Sequence, residues 1–362
     1  MRLLNWTCFA WLTILPMISC TQEEVIGEEG TYAVDFVCGD LKSRSDIHTT
    51  TEDLKNGFVL YAHNSSNPNA AVPTIAGSFT RTVSYTSGNW SYENKMYWIP
   101  GYTYQFRGYY PADAMTITDE AYKTYEIIYE NEEQKDIIMA SAEKSHAAAK
   151  ADGYKAVPLT FNHLLAKLNI NLKVDAQTSQ VGGQSITSPK IGVIVKGVGI
   201  SGIAQKAKYT NNAWSEHYGT TSVGRNFDTP ILVGESQYVE IGGSGYVKLD
   251  NATGEKMFAD EQELLVIPQA LTAGAATLQM YVDIITPPIK NANEEYEYEV
   301  LMQNQPLVCN IPAITWESHK KYVYTVTVTQ DFEIRFDLTP TQDNPTIVPW
   351  EDKVMSGTII IK

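Results

Sequence analysis

Few residues in this 362-residue chain have the type and spacing for chemistry. Gly197-Val198-Gly199-Ile200-Ser201-Gly202 has the G-x-G-x-x-G form that, between a strand and a helix, presents backbone amides to a pyrophosphate. A strand-like stretch, 190–196, precedes it, but turn-forming Tyr209-Thr210-Asn211-Asn212 follows where a helix should open. The pattern therefore predicts a glycine-rich β-turn or bulge and no dinucleotide cofactor. Gly242-Gly243-Ser244-Gly245 lacks the last glycine of a nucleophile elbow and reads as a hairpin tip. The six histidines show no paired metal-binding spacing, and His163, between apolar neighbours, reads as a hydrogen-bonded core residue. Asp250-Asn251-Ala252-Thr253-Gly254-Glu255 departs from a calcium-loop spacing. Acid pairs such as Glu132-Glu133 and Glu294-Glu295 read as solvated faces, since sequence does not fix the carboxylate gap that glycoside hydrolysis needs. The chain is thus expected to be non-enzymatic, with no catalytic residue, cofactor or metal site.

The elements that carry these residues repeat mostly with period two. Alternation marks strands at 31–38, 58–62, 80–85, 96–99, 102–109, 164–174, 278–284, 296–301 and 322–329, separated by Asn-Gly, Pro-Gly and Ser-Gly-Asn punctuation. The run from Glu294 to Val300 alternates acid with aromatic or apolar, as a half-exposed antiparallel strand does. Residues 136–151, rich in Ala, Lys and Glu, form the main helical candidate, which Asp152-Gly153 can stop. The reading is mainly β: two antiparallel β-sandwich domains, 20–160 and 161–362, with a short helical interlude. Forty-two acids against 27 bases give a net charge of −15, so nucleic acid is not an expected partner. With 43% hydrophobic and 19% charged residues the chain is expected to fold rather than stay disordered.

The N-terminus carries a different signal. Arg2 precedes an apolar run too short to span a bilayer, so residues 1–19 read as a secretory signal. Met17-Ile18-Ser19-Cys20 resembles the lipobox of bacterial lipoproteins, which implies acylation of Cys20 and a membrane anchor. The acidic stretch that follows, within 20–30, reads as a tether and resembles the surface-export tag of Bacteroidetes lipoproteins. An exported chain could pair Cys38 with Cys309, although both stand in apolar strand-like contexts where a free cysteine is equally at home.

Asp136-Ile137-Ile138-Met139-Ala140 and the segment from Val157 to Leu168 resemble the centre of the Bacteroidales fimbrillin family, the type V pilins and their paralogues. Tyr109-Tyr110-Pro111, Leu265 to Gln269, Ile314-Thr315-Trp316, Lys321 to Tyr324 and Ile347 to Trp350 extend the likeness over nearly the whole chain. The resemblance implies transthyretin-like sandwiches on an outer-membrane, cell-surface lipoprotein, lipid-anchored before processing. It also implies removal of an N-terminal strand by an arginine-specific protease and its replacement by a strand from another pilin subunit. Arg44 is the only arginine between Cys20 and Arg81 and sits in a polar stretch, 42–51. It is the candidate cleavage point, or else an ordinary surface arginine. The candidate donor strand is Thr358, Ile359, Ile360 and Ile361, with 332–336 as the other choice. Such a subunit would contribute to adhesion, through a receptor or glycan on a host or bacterial surface. A second reading is a monomeric surface lipoprotein that stacks a glycan on exposed Trp90, Trp98 or Trp214.

Overall fold

The computed structural model describes residues 32–38, 51–66, 75–86, 89–119, 124–241, 244–249, 255–259, 263–329, 334–336, 346–349 and 359–360. The fold is mainly β, and two layered cores organise it. Six antiparallel strands form the first large sheet, in the order Phe161–His163, Ile138–Ser145, Thr103–Tyr110, Phe58–Ser65, Ile75–Thr86 and Asn89–Tyr92. Its central strand, Phe58–Ser65, is buried at every position, which explains a nearly continuous apolar and aromatic run where a half-exposed strand would alternate. A small sheet of Ile359–Ile360, Phe36–Cys38 and Val157–Leu159 covers one face of it. Between them lie Phe58, Leu60, Trp90, Trp98, Tyr104 and Phe106.

The second core packs between two further sheets. In one, Ala166–Val174 and Lys320–Val328 run side by side, flanked by Leu264–Val266 and Glu255–Lys256 on one side and Ile334–Phe336 and Thr346–Pro349 on the other. In the other, the 19-residue strand Gly192–Thr210 pairs along one edge with Ala213–Val233. Its other edge pairs first with Thr277–Ile285 and then with Thr124–Glu130, and Val300–Asn310 extends the sheet beyond Thr277–Ile285. The hairpin Thr116–Asp119/Thr124–Glu130 thus precedes the first sheet's Ile138–Ser145 in sequence yet belongs to the second core's sheet. A third apolar cluster joins the two parts. Val59, Tyr61, Tyr109 and Met139, on the reverse face of the six-stranded sheet, meet Ile127, Tyr129, Tyr209, Leu265 and Ile267. Asn131 and Gln134 fasten this seam by bonding the backbone of Ala204, Leu265 and Ile267.

Four expectations change. Residues 136–151 are not one helix: Ile138–Ser145 is a strand, and only His146–Ala151 is helical. Eight residue pairs to Thr103–Tyr110 outweigh the helix preference of alanine. Ser145 caps the short helix by accepting from the Ala148 amide, and Gly153, at φ +74°, lies just past its end. Met96–Ile99 is no strand but a loop bridged to the chain at Ala33–Tyr97. The acidic–aromatic run breaks into Tyr296–Glu297 and Val300–Asn310, and residues 292–304 are exposed throughout rather than on one face. Finally, the sheets are not purely antiparallel. Phe36–Cys38 with Val157–Leu159, and Ala166–Val174 with Lys320–Val328, are parallel, as crossovers longer than a hairpin permit.

Candidate assembly site

The small sheet around Phe36–Cys38 gathers parts from distant points in the chain. Period-two alternation sends Val34 and Phe36 inward, and both are fully buried. Phe36 packs edge-on to Phe106 at 5.0 Å between centroids and lies 5.9 Å from Tyr92. Burial of two such side chains contributes about 1.5–3 kcal/mol each. The backbone is held on both sides. Val34 N donates to Met96 O at 2.8 Å, Trp98 N to Tyr32 O at 3.0 Å, and Val157 N to Asp35 O at 2.7 Å. Tyr92 Oη donates to Val34 O at 2.5 Å. Burial raises the Tyr92 phenol far above its ordinary pKa, so it stays a neutral donor. Burial also raises the Asp35 carboxyl, and Lys95 Nζ, 3.4 Å away, offsets this only partly. Tyr32 stacks on Tyr154 at 3.9 Å and closes the end of the segment.

Residues 32–38, called the plug below, thus combine a short ladder, two buried side chains and a tyrosine stack at one end. Without it, Met96, Trp98, Tyr92, Phe106, Val157 and Leu159 would line an open apolar slot. Its outer edge is covered by the C-terminal strand, with Val37 opposite Ile360 and Cys38 opposite Ile359. The two ends of the described chain thus meet in one sheet.

Of the residues singled out from sequence, Cys20, Arg44, Thr358 and Ile361 lie outside the described residues. Ile359 and Ile360 form the strand just described, whereas the alternative segment supplies Ile334–Phe336, paired to Val326–Val328 at the second core. Cys309 is a free cysteine packed against the second core, whereas Cys38 stands in the small sheet of the first. Burial pushes the Cys309 thiol up to about 12. Trp90 and Trp98 are buried in the first core and offer no face to a sugar. Trp214 is half-buried, packed against the seam, with Nε1 donating to Leu164 O at 2.7 Å. Two of the three rings on which the glycan reading rests are thus closed to a sugar.

The glycine motif lies within Gly192–Thr210, with a bulge between Ser201 and Ile203 and no helix following. Gly202 has φ +77°, and a Cβ there would meet Ala275 O at 2.3 Å. His163 is a core histidine: Nδ1 lies 2.7 Å from Asp136 Oδ2, both side chains buried. Sequence reasoning missed a second buried polar cluster. Glu263 is fully buried among Lys321 at 2.6 Å, Lys167 at 3.4 Å and Lys256 at 3.6 Å, with Asn169 donating to it at 2.5 Å. Alternation along 164–174 assigned Lys167 and Asn169 to the polar face, but Glu263 gives that face a buried partner. Among the described residues no group of His, Cys, Asp and Glu is arranged to hold a metal ion, and no helix is long and apolar enough to cross a membrane.

Residues 46–350 match the family described as fimbrillin-like. No curated protein matches. Among solved structures, the chain is similar to a fimbrial protein from Bacteroides vulgatus ATCC 8482, at 19% identity and TM-score 0.57, over 88% of this chain and 99% of that one. It is also similar to a candidate cell adhesion protein from Bacteroides uniformis ATCC 8492, at 16% identity and TM-score 0.40, over 88% and 98% of the two chains. The first likeness shows the shared fold.

Proposed function

The chain belongs to the fimbrillin-like family, and from that premise we propose that it is a non-enzymatic subunit of an adhesive surface fimbria, assembled by strand exchange. In this reading Cys20 carries the lipid that anchors the exported subunit to the outer membrane before processing. Cleavage after Arg44 frees the segment that holds Val34 and Phe36. A strand from a neighbouring subunit, with the C-terminal residues Thr358 to Ile361 as candidate, then fills the slot. The observation that supports it is the plug: a three-residue strand, Phe36–Cys38, carries the buried Phe36 into the core and lies between Val157–Leu159 and the chain's own C-terminal strand. Strand addition suits such a slot, because backbone bonds supply affinity while alternate side chains enter pockets.

Limited trypsin digestion of the purified chain without residues 1–19, followed by light scattering and N-terminal mass spectrometry, tests this. A single early cut after Arg44, release of the plug and growth into oligomers are expected, with Arg44→Ala remaining monomeric. Early cleavage elsewhere, or oligomers from Arg44→Ala as readily as from the parent, would sink the proposal.

A further inference from the structure

One groove outside this scheme crosses three neighbouring strands on the sheet face opposite the seam. Register places Ile128 opposite Lys208, and Lys206 between Glu130 and Tyr218. Side chains alternate along a strand, so Ala207, Ile127 and Tyr129 enter the seam cluster while Glu126, Ile128, Lys206, Lys208 and Tyr218 face out together. With Ala207 at its base they border an open groove of about 360 Å³, at the small end of the roughly 300–1,000 Å³ typical of ligand pockets. Two large side chains there are exposed, Ile128 at 58% and Tyr218 at 45%.

The electrostatics narrow the ligand. Lys208 lies 3.1 Å from Glu216 and 3.5 Å from Glu126, and Lys206 lies 3.8 Å from Glu130. Each lysine already has a carboxylate, so the groove holds no surplus positive charge for an anion. Gly192–Thr210, the middle strand of the groove, is paired on both edges here, so an added peptide strand cannot lie along the groove floor. What remains is an aromatic ring on one side of Lys206 and Lys208 and an aliphatic chain on the other, with donors and acceptors of both signs between them. That chemistry suits a pyranose, whose C–H face is apolar and whose equatorial hydroxyls both donate and accept.

We propose that this groove binds a neutral mono- or disaccharide, stacked on Tyr218 and Ile128 with hydroxyls bonded to Glu126 and the paired lysines. It extends the adhesive half of the proposed function. It is independent of the plug, so either idea can fail alone. The test is saturation-transfer NMR on the full chain lacking residues 1–19, with methyl glycosides of glucose, galactose, mannose and N-acetylglucosamine at millimolar concentration. At least one glycoside should show transfer to its apolar-face protons and an affinity insensitive to salt. Tyr218→Ala should weaken it roughly tenfold or more, as loss of an aromatic contact does. Tyr218→Phe keeps the ring and should keep binding, and Tyr298→Ala, exposed but elsewhere, should change nothing. Absence of transfer from every glycoside, binding that survives Tyr218→Ala, or an affinity that falls steeply with salt would each overturn the assignment. Trypsin-triggered assembly of Tyr218→Ala, run in parallel, reports on strand exchange separately.

Discussion

Phe36→Ala isolates the contribution of the plug. Truncating a buried phenylalanine costs about 3–5 kcal/mol in a rigid core. Phe36 sits in a strand of only three residues, so the lower end applies, about 3 kcal/mol. If residues 32–38 detach as a unit while the sheets remain folded, that sum falls on the local opening equilibrium and not on global unfolding. At about 1.4 kcal/mol per decade, opening becomes on the order of a hundredfold more frequent. Three amides read it directly: Val34 N–H on Met96 O, Trp98 N–H on Tyr32 O and Val157 N–H on Asp35 O. Hydrogen exchange, followed where rate tracks the opening equilibrium, should accelerate by that factor at all three. Amides in the Gly192–Thr210/Thr277–Ile285 ladder should keep their parent rates. Uniform acceleration across both cores would refute the reasoning, because the plug would then be an inseparable part of one cooperative unit. So would a change below about fivefold at the three reporters, because Phe36 would then not hold the strand.

Two other perturbations read buried groups. The Cys309 thiol, pushed up to about 12 by burial, should resist alkylation at neutral pH in the folded chain and react at the ordinary cysteine rate in denaturant, checked by intact mass. Burial holds the Lys167 ammonium below its usual range despite Glu263. Between that lowered value and about 10.4, the unfolded chain binds more protons than the folded one, so this lysine's contribution to stability grows as pH rises. Urea unfolding of the parent and of Lys167→Met at about pH 7 and about pH 10 should show their difference moving in favour of the parent, and movement the other way would contradict the assignment.

The strands legible in sequence were those whose faces differ. Leu168, Ile170, Leu172 and Val174 point into the second core exactly where alternation put them, and Lys320–Val328 and Thr277–Ile285 follow the same rule. The segment 136–151 misled because alanine favours a helix locally, whereas a sheet interior accepts small residues once neighbours pair on both sides. Polar assignments failed for Lys167 and Asn169 because their partner, Glu263, lies almost a hundred residues onward. Two of the tryptophans chosen for a sugar proved to be core, while the tyrosine that faces solvent beside a groove carried no distinguishing pattern in its own strand. Such pairings are long-range, and no local period encodes them.

The meeting of the two ends of the described chain in one sheet has a consequence for assembly. Ile359–Ile360 pairs with Phe36–Cys38, which in turn pairs with Val157–Leu159. Within the proposed exchange, a neighbour's strand that replaces the plug restores backbone bonds of the same kind, so hydrogen bonding alone gives little net drive. The bias must come from side chains and length. The plug offers Val34 and Phe36 to the slot, whereas the candidate donor offers a run of isoleucines with strong strand preference. An uncut plug also remains tethered to the chain and returns at high local concentration, so an untethered competitor loses to it. Cleavage removes that advantage without altering a single contact in the slot. Weakening the contact by Phe36→Ala while leaving Arg44 intact should therefore expose the plug to exchange but yield few oligomers. Cutting the parent should yield many, which separates the role of the tether from that of the packing.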